Sequence, residues 1–202
     1  MAIRVALHHR TEYRYEDPSE FGPHLVRLRP APHTRTPIHS YSLRVEPADH
    51  YLNWQQDPYG NYVGRFVFPK RSTKLVFEVD LIAEMTVINP FDFFLEPAAE
   101  EFPFTYHPTL LHDLMPFLHV SPALDNSPLA EYIRTVDRRK RRTIDFLVEV
   151  NQKLSEHIGY LIRLEPGVQS CDETLSKRSG SCRDTSWLLV NILRHMGLAA
   201  RF

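Results

Sequence analysis

The chain has 202 residues, 43% of them hydrophobic and 24% charged, with a formal net charge of −1 at pH 7. That length fits one large domain or two small ones, and the hydrophobic share supports a packed core rather than a disordered chain. The neutral balance provides no global field to select nucleic acid or an anionic membrane. No stretch reaches the roughly 18 consecutive apolar residues of a membrane span. The N-terminal MAIRVALHHRTEYRY lacks the apolar run of a signal peptide. No membrane partner and a cytoplasmic location are therefore expected. Two cysteines make no disulfide framework, and cytoplasmic thiols stay reduced. Pairing of Cys171 with Cys182 remains open.

The first hundred residues read as strands. Thr11, Tyr13 and Tyr15 alternate with Glu12 and Arg14, and Tyr41, Leu43 and Val45 alternate with Ser42, Arg44 and Glu46. Asp57-Pro58-Tyr59-Gly60-Asn61 is a turn signal between two strand-like runs and predicts a hairpin. Phe77, Val79 and Leu81 share a face opposite Glu78 and Asp80. Short antiparallel strands with Pro-rich turns predict a β-sandwich-like domain over residues 1–105.

Between Asn89 and Pro128 the chain is dense in proline and aromatics. Prolines at 90, 97, 103, 108, 116 and 122 argue against long helices. Residues 106–126 are therefore expected to be a connector with aromatic anchors. From Ser127 the period becomes helical. Leu129, Tyr132, Ile133 and Val136 form one stripe, and Phe146, Val150, Leu154 and Ile158 another. Thr143 marks a helix start. RLEPGVQSCDETLSKRSGS reads as a loop with at most one helical turn. Trp187, Leu188, Val190, Asn191, Leu193 and Arg194 then lie on a dense, buried helix that Gly197 stops, and LAARF restarts as a strand. The fold class expected is α+β.

Cys182 stands where the loop enters this last helix. Unpaired N–H groups of a first helical turn carry partial positive charge, which favours a thiolate. Gly180 and Ser181 are small enough for a substrate backbone to approach. A rigid helix open at its N-terminus is a good mount for a nucleophile, and the cysteine's own N–H can face a developing oxyanion. An ordinary buried packing cysteine is the alternative that the residues alone leave open.

GSCRDTSWLLVNILRHMGLAARF resembles the signature of the bacterial transglutaminase-like (papain-like) superfamily. LHHRTEYRYEDP, VRLRPAP and NWQQDPYGNYV resemble the β-rich domain that precedes the core in its bacterial members. The resemblance implies a β domain followed by the helical first half of a papain-like core at 127–202. It implies that Cys182 is the nucleophile, with Arg183 and Asp184 as structural members of the helix start. The implied chemistry is attack on an amide carbonyl of a protein or peptide, giving a thioester that water or an amine resolves. In the family the base and its orienter, a His and an Asp, follow the cysteine helix on later strands. Neither is expected among these residues, so the resemblance implies an amino-terminal piece of a longer enzyme, incomplete by itself. A non-catalytic binding or scaffolding module with a vestigial cysteine is the alternative. Papain-like folds often take a second oxyanion donor from an upstream polar side chain, for which Gln169 is the candidate, with a loop-tethering amide as the other reading.

The other histidines do not supply the base. His195 lies 13 residues along the same helix, about 20 Å away at 1.5 Å per residue. It reads as a cation at a helix C-terminus, and so does His157 on the preceding helix, for which an approach to Cys182 in space stays open as the alternative. Asp184, two residues from the cysteine, faces elsewhere. The chain contains no zinc-type ligand spacing, and His8 and His9 point to opposite faces of a strand. No Gly-rich phosphate loop exists, so no metal and no cofactor are expected. Asp137 to Arg142, DRRKRR, reads as a solvated turn rather than a nucleic-acid contact. A truncated core would leave an unpaired edge at AARF, open to self-association. The remainder of the same polypeptide is the other expected partner.

Overall fold

The computed structural model describes residues 3–120 and 125–202. Ser121 to Leu124 of the expected connector, Pro122 among them, lie outside the described residues. The chain forms two compact units that divide between Asp92 and Phe93. The proline pattern had suggested a boundary at 105.

The first unit holds strands β1 (Ile3–Ser19), β2 (His24–Val26), β3 (Ile38–Glu46), β4 (Tyr51–Gln56), β5 (Tyr62–Val67) and β6 (Ser72–Met85). They form two antiparallel three-stranded sheets, ordered β1-β6-β3 and β2-β5-β4. The alternation read from sequence sets the inner faces. Leu75, Phe77 and Val79 of β6 are buried, and Phe77 meets Phe66 of β5 edge to face at 5.4 Å. The β4–β5 hairpin turns where expected. Gly60 adopts φ +81°, and the Asp57 carboxylate accepts N–H bonds from Tyr59 and Asn61.

The second unit opens with a 3-10 turn at Pro97–Ala99 and the short strand β7 (Glu101–Phe102). Helix α1 (Pro108–Leu118) follows, so the connector is helical where a loop was expected. Pro108 sits in the first turn, where its missing N–H removes no bond. Pro116 comes only two residues before the end, so it shortens the helix rather than preventing it. Next come α2 (Pro128–Thr135), β8 (Arg141–Arg142), α3 (Thr143–His157), β9 (Gly159–Tyr160), α4 (Cys171–Lys177), β10 (Ser179–Gly180) and α5 (Cys182–His195).

The helical stripes build this core. Phe146, Val150, Leu154 and Ile158 are all buried, with Leu129, Ile133, Leu188 and Ile192 in the same cluster. Phe102 stacks on Phe146 at 3.7 Å. Where one helical turn was expected, α4 runs for seven residues, because Ser170 caps it by accepting the Glu173 N–H at 3.1 Å.

Gly197 ends the helical segment at φ +80°, and the Leu198 N–H closes back on the Leu193 carbonyl at 3.0 Å. Beyond it, residues 198–202 form no strand. The Ala199 N–H donates to Tyr106 Oη, the Ala200 N–H donates to the Phe117 carbonyl, and the Ala200 carbonyl accepts from Arg194 Nε and Nη2. The unpaired edge that motivated self-association is therefore satisfied locally at Ala199 and Ala200.

Candidate active site

Cys182 is the first residue of α5 and is exposed, and both cysteines are free thiols. Ser-Cys-Arg-Asp places an N-cap serine before the thiol and an acid at the third helical position. The Asp184 carboxylate reaches back and accepts the Ser181 N–H at 2.8 Å and the Ser181 hydroxyl at 2.7 Å. Two more segments converge on it. Arg163 Nε and Nη2 donate to its two oxygens at 3.0 and 2.9 Å, and the Gln169 N–H donates at 2.8 Å.

Asp184 is wholly buried, yet the Arg163 guanidinium holds its carboxyl well below the usual carboxylate range, helped by the Gln169 and Ser181 donors. Arg163 Nη2 also donates to the Gly167 carbonyl at 2.8 Å, so the same side chain ties down the approach loop. Arg183 turns outward from the helix start toward the carbonyls of Arg163 and Glu165.

Gly180 is small for an internal reason. A Cβ there would lie 2.9 Å from Asp184 Cβ and 3.3 Å from Thr174 Cγ2, so bare backbone is needed to admit the buried aspartate.

Cys182 opens onto a cavity of about 320 Å³. Leu154, Ile158 and Leu189 supply its apolar wall; Asn151, Ser155, Thr185 and Ser186 supply neutral polar groups. The cleft holds no charged side chain among its lining residues. The α3 stripe positions this wall, since Leu154 and Ile158 belong to the core that α5 packs on.

The other sequence candidates fall elsewhere. Gln169 is buried, and its side-chain carbonyl accepts from Thr174 Oγ1 at 3.2 Å. It is not among the cleft's lining residues. His157 packs on the Tyr132 ring at 5.7 Å, away from the cleft lining. His195 differs from the helix-end cation expected. Burial, and secondarily Arg138, lowers its pKa toward the neutral form, and its Nε2 is buried without a partner. Cys171 packs against the core, and burial with the neighbouring Asp172 pushes its thiol up to about 11.

Ligand-type atoms gather once among the described residues. His8, Glu78 and Asp80 lie within 4.8 Å of one another on β1 and β6. This group was not expected from spacing, because cross-strand register rather than sequence distance brings it together. His8 already bonds Asp80 at 2.8 Å, and Arg44 approaches Glu78 at 3.5 Å. Three of the five cations of the basic run have close carboxylate partners. Arg139 pairs with Asp137, Lys140 with Glu101, and Arg141 with Glu149. No helix among the described residues is long and apolar enough to cross a membrane.

Sequence reasoning missed Arg163. Nothing local marks it, because it meets Asp184 across 21 residues of chain. The acid's own role was signalled by the Ser-x-x-Asp spacing at the helix start.

Comparisons with known proteins agree in both halves. Residues 5–84 match the bacterial transglutaminase-like N-terminal region, and residues 130–202 match the transglutaminase-like superfamily. An uncharacterised protein of Mycobacterium bovis is 25% identical over 201 residues, covering 98% of this chain and 63% of the relative. Uncharacterised proteins from two strains of Mycobacterium tuberculosis match to the same extent. This chain therefore spans less than two thirds of the length of those relatives. A crystal structure of a candidate cysteine protease from Cytophaga hutchinsonii superposes with a TM-score of 0.63 at 16% identity, over 98% of this chain and 66% of that one. That likeness speaks for the fold alone.

Proposed function

We propose, for a chain that belongs to the bacterial transglutaminase-like superfamily, that Cys182 is the nucleophile of a cysteine enzyme acting on an amide of a protein or peptide. The observation that carries this reading is the thiol itself: exposed, first in α5, and opening onto the cavity of about 320 Å³. The sulfur adds to the amide carbonyl carbon, the C–N bond breaks, and the amine leaves with a proton, giving a thioester. Water or a second amine then attacks the thioester carbonyl and regenerates the thiol. Hydrolysis is the default, because water is the ever-present acceptor.

This reaction needs a base and an orienting group. No histidine is among the residues lining the cleft with Cys182. In this reading the base and its partner come from polypeptide that residues 1–202 do not include. Reduced thiols fit a cytoplasmic setting.

Alkylation tests the reading. Iodoacetamide at neutral pH, followed by peptide mass spectrometry, is expected to modify Cys182, which is exposed. Cys171, in the same digest, is expected to lag Cys182 at least about a hundredfold, because burial withholds its thiolate. Because the base lies outside residues 1–202 in this reading, the deciding comparison is internal: a Cys182 rate no greater than that of Cys171 overturns the nucleophile reading and favours a binding module.

A further inference from the structure

Asp184 poses a conflict. Its carboxylate suits a helix N-terminus and satisfies the Ser181 and Gln169 N–H groups. The same negative charge, two residues from Cys182, opposes a thiolate there. Cys171 offers a parallel within the same chain. Cys171 also opens a helix, and the adjacent Asp172 is one of the two causes that push its thiol up. Asp172 accepts a backbone N–H from Leu129 at 2.8 Å, and no ion pair is seen for it among the described residues. Asp184 is different, because Arg163 meets both of its oxygens and is itself only 11% exposed.

Building on the nucleophile reading, we propose that Arg163 is a positioning residue for Cys182. Through Asp184 it locks the first turn of α5 to the approach loop, and it cancels a carboxylate charge that stands two residues from the cysteine. Three observations support this. The pair is buried, so solvent screens it little. The guanidinium engages the carboxylate through two nitrogens, a geometry that a lysine cannot reproduce. Asp184 joins residues 163, 169 and 181, which are the three segments surrounding the helix entrance.

The test is the pH profile of alkylation at Cys182, read by peptide mass spectrometry in variants whose folding is checked by circular dichroism. Arg163→Met leaves the carboxylate uncancelled, and its midpoint is expected about half to one pH unit above that of the parent. Asp184→Asn leaves the guanidinium uncancelled, and its midpoint is expected to fall. The double variant loses both charges together and is expected near the parent. Arg163→Lys keeps the charge, so its midpoint is expected to stay with the parent while its rate plateau drops.

A purely structural role moves the single variants in the same direction, and that result overturns the proposal. So does a folded Arg163→Met with the parent's midpoint. If Arg163→Met does not fold, Asp184→Asn and the double variant decide, and equal midpoints in those two overturn it. A parent Cys182 alkylated no faster than Cys171 sinks the nucleophile reading instead, because this test rests on differences in midpoint and not on absolute rate.

Discussion

The starts of α4 and α5 share one local pattern, Ser-Cys followed by an acid at the third helical position: Ser170-Cys171-Asp172-Glu173 and Ser181-Cys182-Arg183-Asp184. Both serines are N-caps and both cysteines open a helix. The outcomes are opposite. Cys171 packs on the core with its thiol pushed up to about 11, whereas Cys182 is exposed on a cleft. A helix N-terminus does not by itself make a nucleophile, because both thiols have one. Solvent access and the fate of the nearby carboxylate separate them.

The third-position acids sharpen the contrast most. Glu173 is exposed and pairs with Lys177 one turn on, at 2.6 Å. Asp184 is buried and holds three segments together. Asp184→Ala leaves Arg163 charged and mostly buried, with only the exposed Glu165 carboxylate at 3.9 Å as an ion partner, and is expected to cost roughly 3 kcal/mol of stability. Glu173→Ala removes only an exposed pair and is expected to stay within about 0.5 kcal/mol. Chemical denaturation of the two variants reads the difference. Similar losses in both would mean that the α5 start is not the anchor described above.

Acid should separate the two ends as well. A carboxyl held below its unfolded value, about 3.9, contributes stability above that pH. The contribution is lost as pH falls through that value toward the lower folded one. The parent is therefore expected to lose thermal stability steeply below about pH 4, and Asp184→Asn to show a flatter profile over the same window. Melting temperatures taken from pH 6 to pH 2 check this. Parallel profiles would assign the acid sensitivity to other carboxylates.

Periodicity made most of the core legible beforehand. Phe146, Val150, Leu154 and Ile158 lie at helical spacing and all are buried, and of the alternating Phe77, Val79 and Leu81 the first two are buried and Leu81 is half-buried. The place of Cys182 at a helix start was legible, because Gly180 and Ser181 precede an apolar helix. The parts that were not legible depend on contacts distant in sequence. Arg163 finds Asp184 across 21 residues, and His8 finds Asp80 across 72. Proline misled in the connector, since its cost depends on where in the helix it stands; Pro108 and Pro116 sit near the two ends of α1. The strand expected at LAARF does not form here, because Tyr106, Phe117 and Arg194 partner its backbone instead.

The ends of the same two helices offer the smallest test. Each helix is followed by a residue with positive φ, Arg178 at 51° after α4 and Gly197 at 80° after α5. Arginine tolerates the left-handed region poorly, whereas glycine occupies it freely. Nothing lies within 4 Å of a Cβ built on Gly197, so an alanine there meets no steric obstacle and the cost is conformational alone. Gly197→Ala is expected to destabilise the second unit by about 1 kcal/mol. Arg178→Gly releases strain but enlarges the unfolded ensemble, and is expected to change stability by less than about 1 kcal/mol. If Gly197→Ala costs nothing, the stop at α5 rests on the Arg194 bonds to the Ala200 carbonyl rather than on the left-handed turn, and Arg194→Gln then becomes the variant that frays the helix end.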